Sequence, residues 1–128
     1  MLELMKDIRS NVVGVRATGK VTSEEYEKVL IPAVAELSKR AEKINLLILL
    51  ETDVSHFTLG AWMEDMFLGL KHFTRWNRVA IVSDQKGVQQ FTNLISNFVP
   101  GHYKGFPIAS LELAKQWVAA PKSSSQNG

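Results

Sequence analysis

INLLILLE, residues 44–51, is apolar throughout except at Asn45 and at Glu51, which closes it. A strand without polar/apolar alternation has both faces covered, the usual state of a central strand in a parallel sheet. The run is also far short of the roughly 20 residues that a membrane-spanning helix needs. VTSEEYEKVLIPAVAELSKRAEK (21–43) precedes it with helical spacing, and RVAIVSD (78–84) follows as a second buried strand. Strands alternating with helices predict right-handed crossovers and a largely parallel sheet.

Working outward, VVGVRATG (12–19) reads as a strand, and LELM (2–5) pairs with it as an antiparallel hairpin across KDIRSN. Thr22 and Glu25 form a capping box, in which hydroxyl and carboxylate cover orphan backbone donors at a helix start. Tyr26, Val29, Leu30, Ala33, Val34, Leu37 and Ala41 recur at helical spacing. Pro32 removes the bond to the carbonyl of Lys28, which predicts a kink. Helices follow at 59–73, 86–98 and 110–120, the last capped by Ser110, with a short strand at 103–109 ending near Pro107. The expected order is ββαβαβαβα: an α/β domain over 1–120 with a mostly parallel five-stranded sheet and an N-terminal antiparallel strand. PKSSSQNG (121–128) is a polar, mobile tail with nothing to bury.

At 128 residues the chain has the size of one domain. Its 15 basic and 13 acidic residues leave a formal charge of +2, too mild to argue for nucleic acid. Cysteine is absent, which excludes disulfides, thiolate catalysis and thiolate-held metals. The opening Met1-Leu2-Glu3-Leu4-Met5 lacks the apolar core of a signal peptide, so the chain is expected to be cytoplasmic.

In open α/β sheets ligands sit beyond the carboxyl ends of the strands, and 51–59 is the longest loop there. Asp53, Ser55 and His56 have the residue types of a hydrolase triad, yet Ser55 and His56 are neighbours and no nucleophile elbow surrounds the serine. They read instead as turn residues, with Thr58 capping the next helix and its free N–H groups suited to an anion. His56, His72 and His102 lack metal-ligand spacing.

In the helix that follows, Leu59, Trp62, Met63, Met66, Phe67, Leu70 and Phe73 fall within an arc of roughly 140°. Such a stripe packs a core, and its methionines also adapt to an apolar guest. With Phe57 these side chains form the candidate apolar pocket, and Asp53, Ser55, His56 and Thr58 its polar, anion-facing end. KHFTRWNR (71–78) then places Lys71, Arg75 and Arg78 around Trp76, a pattern that suits a lipid headgroup layer or single-stranded nucleic acid. The plainer alternative is a basic helix end answering its dipole, with Trp76 folded onto the core.

Several marks along the chain resemble the SpoIIAA-like family, relatives of STAS and CRAL-TRIO domains. They are VTSEEYEKVLIP with Tyr26 and Pro32, TLGAWMEDM with Gly60, Ala61, Trp62 and Asp65, and RVAIVSD with Arg78, Ala80, Val82 and Asp84. Phe106, Ala114 and Trp117 complete the set. The resemblance implies a sheet wound as a right-handed β–α superhelix. STAS-type anti-sigma antagonists are phosphorylated in an Asp-Ser-Ser-Gly turn, where this chain has His56-Phe57-Thr58-Leu59-Gly60. Gln85-Lys86-Gly87 stands where relatives often place a tryptophan. CRAL-TRIO relatives carry lipid beneath a movable helix.

Together these features predict a non-enzymatic small-ligand module. It would bind a lipid-like or apolar molecule between helix 59–73 and the sheet, at the inner membrane face. The alternative is a STAS-type regulatory interaction domain switched near Thr58. Expected partners are the apolar ligand, a peripheral membrane contact and a second copy of the chain; no cofactor, metal or nucleic acid is expected.

Overall fold

A computed structural model describes residues 1–51, 73, 75–84, 86, 88, 89, 92, 93, 96 and 100–120, apart from the side chain of Ser23. Among the described residues five strands form one sheet in the order of the chain: β1 (Leu2–Leu4), β2 (Val12–Ala17), β3 (Ile44–Leu50), β4 (Trp76–Val82) and β5 (His102–Phe106). The first pair is antiparallel, with Leu2 opposite Ala17, and the other three pairs are parallel. This is the mostly parallel α/β sheet expected. The predicted helix at 59–73 lies outside the described residues, apart from Phe73, which is not helical. Of the predicted 86–98 helix, Lys86, Val88, Gln89, Thr92 and Asn93 are described and are helical.

All of β3 is buried, as its continuous apolar sequence requires. Side chains alternate across the pleat, so its odd and even positions feed two separate cores. One face carries Val13, Val15, Leu46, Ile48, Val79 and Ile81, packed against Tyr26, Leu30, Val34 and Leu37. The other carries Val12, Leu47, Leu49, Ala80, Val82 and Phe106, packed against Ala114 and Val118 of the C-terminal helix. The 5–11 loop also lies on this second face. A Cβ at Gly14 would meet Ile8 at 3.2 Å and Met5 at 3.3 Å, so the missing side chain is what lets the loop sit down.

The helical segment that precedes β3 is built in three pieces. α1 (Ser23–Glu25) leads into a π-helical turn (Tyr26–Leu30) and then α2 (Ile31–Arg40). The capping box forms as expected: the Thr22 N–H donates to Glu25 Oε1 at 3.1 Å, and the Glu25 N–H donates to the Thr22 hydroxyl at 3.3 Å. Glu25 also accepts from the Leu2 N–H at 2.7 Å, which ties the helix start to β1. The interruption expected at Pro32 is taken up one turn earlier. The Ile31 N–H reaches back to the Tyr26 carbonyl, a wide turn that places Pro32 in the first turn of α2. There its missing N–H has no intrahelical partner to lose.

Several boundaries differ from the sequence expectation. β4 starts two residues earlier than 78, and β5 ends at Phe106, before Pro107. A 3₁₀ turn (Ile108–Ser110) then leads into α3 (Leu111–Ala119). Ser110 does occupy the cap position of α3, but its side chain makes no capping bond. Its N–H instead closes the turn onto the Pro107 carbonyl at 2.9 Å.

Candidate functional site

Most of the residues singled out in the sequence lie outside the described residues: Asp53, Ser55, His56, Phe57, Thr58, Trp62, Met63, Met66, Phe67, Leu70 and Lys71. The described flanks of that segment are Glu51 at its entrance and Phe73, Arg75, Trp76 and Arg78 at its exit. Phe73 is half-buried and packs on the first-face core.

The basic-aromatic exit is absorbed into the fold. Arg75 donates to the carbonyl of Ala41 at 3.2 Å and to that of Ser38, so its guanidinium covers the C-terminal carbonyls of α2. A cation is favourable there because those carbonyls are the negative end of the helix dipole. Trp76 is 7% exposed and belongs to the first-face core.

Next comes an irregularity that turns Arg78 toward the opposite face. Ile44 pairs with Trp76 and Leu46 pairs with Val79, so Asn77 and Arg78 together face Asn45. That is a β-bulge, and it leaves ladder groups in want of partners. Asn45 supplies them: its Oδ1 accepts from Asn77 Nδ2 at 2.9 Å and from the Arg78 N–H at 3.2 Å. Its own amide donates to the Asn11 carbonyl at 3.1 Å, and Asn11 in turn donates to the Ala119 carbonyl at 3.1 Å. Arg78 then lies on the second face, donating to the Trp117 carbonyl at 2.6 Å. Its guanidinium carbon is 4.9 Å from the centre of the Trp117 ring.

Arg78 thereby joins a cluster on the outer half of the second face. Phe106 and Trp117 meet with ring centres 5.9 Å apart and planes tilted by 54°. Lys104 stands over both, 5.4 Å from the Phe106 centre and 5.9 Å from that of Trp117. Sequence periodicity leaves Lys104 inconspicuous; the one usable sign is the alternation His102-Lys104-Phe106, which puts all three on one side of β5.

Beyond the carboxyl ends of β2 and β3 lies a cleft of about 430 Å³ lined by Asp7, Arg16, Leu49, Glu51, Leu111 and Lys115, among others. Four of its charged residues are paired with one another. Arg16 bonds Glu51, and Lys115 contacts Asp7 at 2.6 Å and Glu112 at 3.0 Å. The hydrogen bond from Lys115 holds the Asp7 carboxyl below its ordinary range, and the same bond holds the Lys115 ammonium above its own. Pairing of this kind ties the 5–11 loop to α3. Among the described residues no group of three His, Asp or Glu side chains is arranged to hold a metal ion. Among them also, no helix is long and apolar enough to cross a membrane.

A family model described as SpoIIAA-like matches residues 12–119. Searches of curated proteins and of solved structures returned no match.

Proposed function

Because this chain belongs to the SpoIIAA-like family, we propose that it is a non-enzymatic regulatory domain of the STAS kind, switched by a charge change at the carboxyl end of β3. The observation that carries this reading is the family match across both cores of the sheet. β3 ends at Leu50, and the chain continues directly into the segment that holds Ser55 and Thr58. A phosphate on either hydroxyl would add up to two negative charges to that segment, enough to attract or repel a docking surface. Four described charges near that end of the sheet are paired, Arg16 with Glu51 and Asp7 with Lys115. They bind parts of the fold together, which suits a scaffold more than a reacting centre.

Phosphoproteomics in the native host tests the switch, with phosphate expected on a hydroxyl between 52 and 58. Its absence there across growth conditions would remove the reading. A serine-reactive fluorophosphonate probe is expected to leave Ser55 unlabelled.

A second reading keeps the apolar stripe of the helix predicted at 59–73 as a lipid-like ligand's cover. Phe73, the described end of that stripe, packs on the first-face core, which supports it. Native mass spectrometry of gently purified protein and flotation on anionic liposomes test it: a co-purifying apolar mass supports this reading, and an empty chain that does not float sinks it.

A further inference from the structure

We propose that β5 and the cation row beside it form a docking edge for an extended acidic peptide, added to the sheet as a sixth strand. Among the described residues β5 is last in the strand order and is paired on one of its two hydrogen-bonding sides only. His102, Lys104 and Gly105 are all exposed. On the second face the parallel register sets Arg78 opposite His102 and Ala80 opposite Lys104, so two cations and an imidazole gather at this border. Among the described residues neither His102 nor Lys104 has a carboxylate partner, in contrast to Arg16 and Lys115.

The chemistry of the occupant follows from this placement. Residues two apart on a strand lie roughly 6.6 Å apart on one face, the spacing of alternate side chains on any neighbouring strand. Carboxylates at alternate positions of an incoming strand therefore fall in step with His102 and Lys104. A lysine on an exposed edge repels basic strands and discourages apolar ones, and the same charge admits an acidic strand. Single-stranded nucleic acid fits less well, because base stacking needs an open ring. Phe106 is 8% exposed, and Trp117 already carries Arg78 and Lys104. An anionic bilayer also fits less well, since the row has no exposed apolar side chain to insert. The edge is remote in sequence from the switch segment at 52–58, so it stands or falls separately from the proposed function.

The test is a fluorescence-anisotropy titration of the full chain with a labelled peptide of alternating Glu and Thr. Controls are an alternating Lys/Thr peptide, a peptide with the same Glu and Thr in two blocks, and labelled oligothymidylate. The alternating acidic peptide is expected to bind best, and Lys104→Glu and His102→Glu are each expected to weaken it by about tenfold. Both side chains are exposed, so either reversal is readable in a folded chain. Amide shifts in ¹⁵N spectra are expected to concentrate on 102–106. Equal binding of the block peptide or the oligonucleotide, affinity unchanged by both reversals, or shifts centred elsewhere would overturn the proposal.

Discussion

The side-chain oxygen of Asn45 and the side-chain amide of Asn77 meet at 2.9 Å inside the sheet, at the one place where β3 and β4 fall out of register. Both residues are buried, and the same oxygen also takes the Arg78 N–H. A bulge in a parallel pair is thus stabilised by one amide side chain. The bulge in turn decides that Arg78 serves α3 rather than the opposite layer.

Asn45→Ala is expected to destabilise the chain by about 1–3 kcal/mol, the cost of leaving buried donors unsatisfied. Asn45→Asp keeps the acceptor but sets a carboxylate oxygen against the Asn11 carbonyl, and is expected to cost more near neutral pH. Urea denaturation checks both; a midpoint unchanged by Asn45→Ala would mean that the bulge closes without the amide.

Arg78→Met preserves much of the side chain's length and removes both the bond to the Trp117 carbonyl and the ring contact. A loss of about 1–3 kcal/mol is expected, with Arg78→Lys recovering only part because an ammonium cannot lie flat on the indole while donating. The measurement is again equilibrium unfolding, supported by hydrogen exchange in α3, which should open first in the variant.

Glu25 gives a pH dependence with a definite sign. Burial opposes its ionisation, but the N–H groups of Leu2 and Thr22 outweigh that and hold its pKa below the ordinary 4.5. Its contribution to stability is therefore present in full above about pH 4.5 and is lost as pH falls through the depressed folded value. Glu25→Gln is expected to be less stable than the parent at pH 7, the gap shrinking as pH falls below 4.5. An NMR titration of the Glu25 carboxyl with its midpoint at or above 4.5 would contradict this.

Gly105 lies against Val88, and a Cβ there would clash with Val88 Cγ1. Gly105→Ala is expected to cost about 1–3 kcal/mol through overpacking. Val88→Ala in the same chain should recover part of that loss, whereas independent sites would simply add. A double-mutant cycle from chemical denaturation distinguishes the two.

Where the determinants are local, sequence and structure agree. β3 is apolar except at Asn45 and is buried on both faces. The Thr22–Glu25 box can be read three residues apart and forms as read. Pro32 signals an interruption, although the relief comes as a π turn upstream, because i→i+5 bonding there moves the proline into the first turn of α2. Ser110 has the right residue type for a cap, but the 3₁₀ turn ahead of it takes its N–H and leaves its hydroxyl uninvolved in capping. Of the candidate site, only Phe73, Arg75, Trp76 and Arg78 fall within the described residues. Their composition alone suits an interface; their contacts are those of the plainer alternative for Trp76, and a helix-end role on other helices for the arginines.

The sequence by itself determined the strands, their order along the chain and the family, since apolar period, caps and breakers act over a few neighbouring residues. Only the tertiary structure decided where the cations go. Arg75 finds the Ala41 carbonyl 34 residues away, and Arg78 finds that of Trp117 39 residues away. A guanidinium takes whichever helix end the fold brings within reach, and that proximity is a property of the sheet's register and not of the residues beside it in the chain.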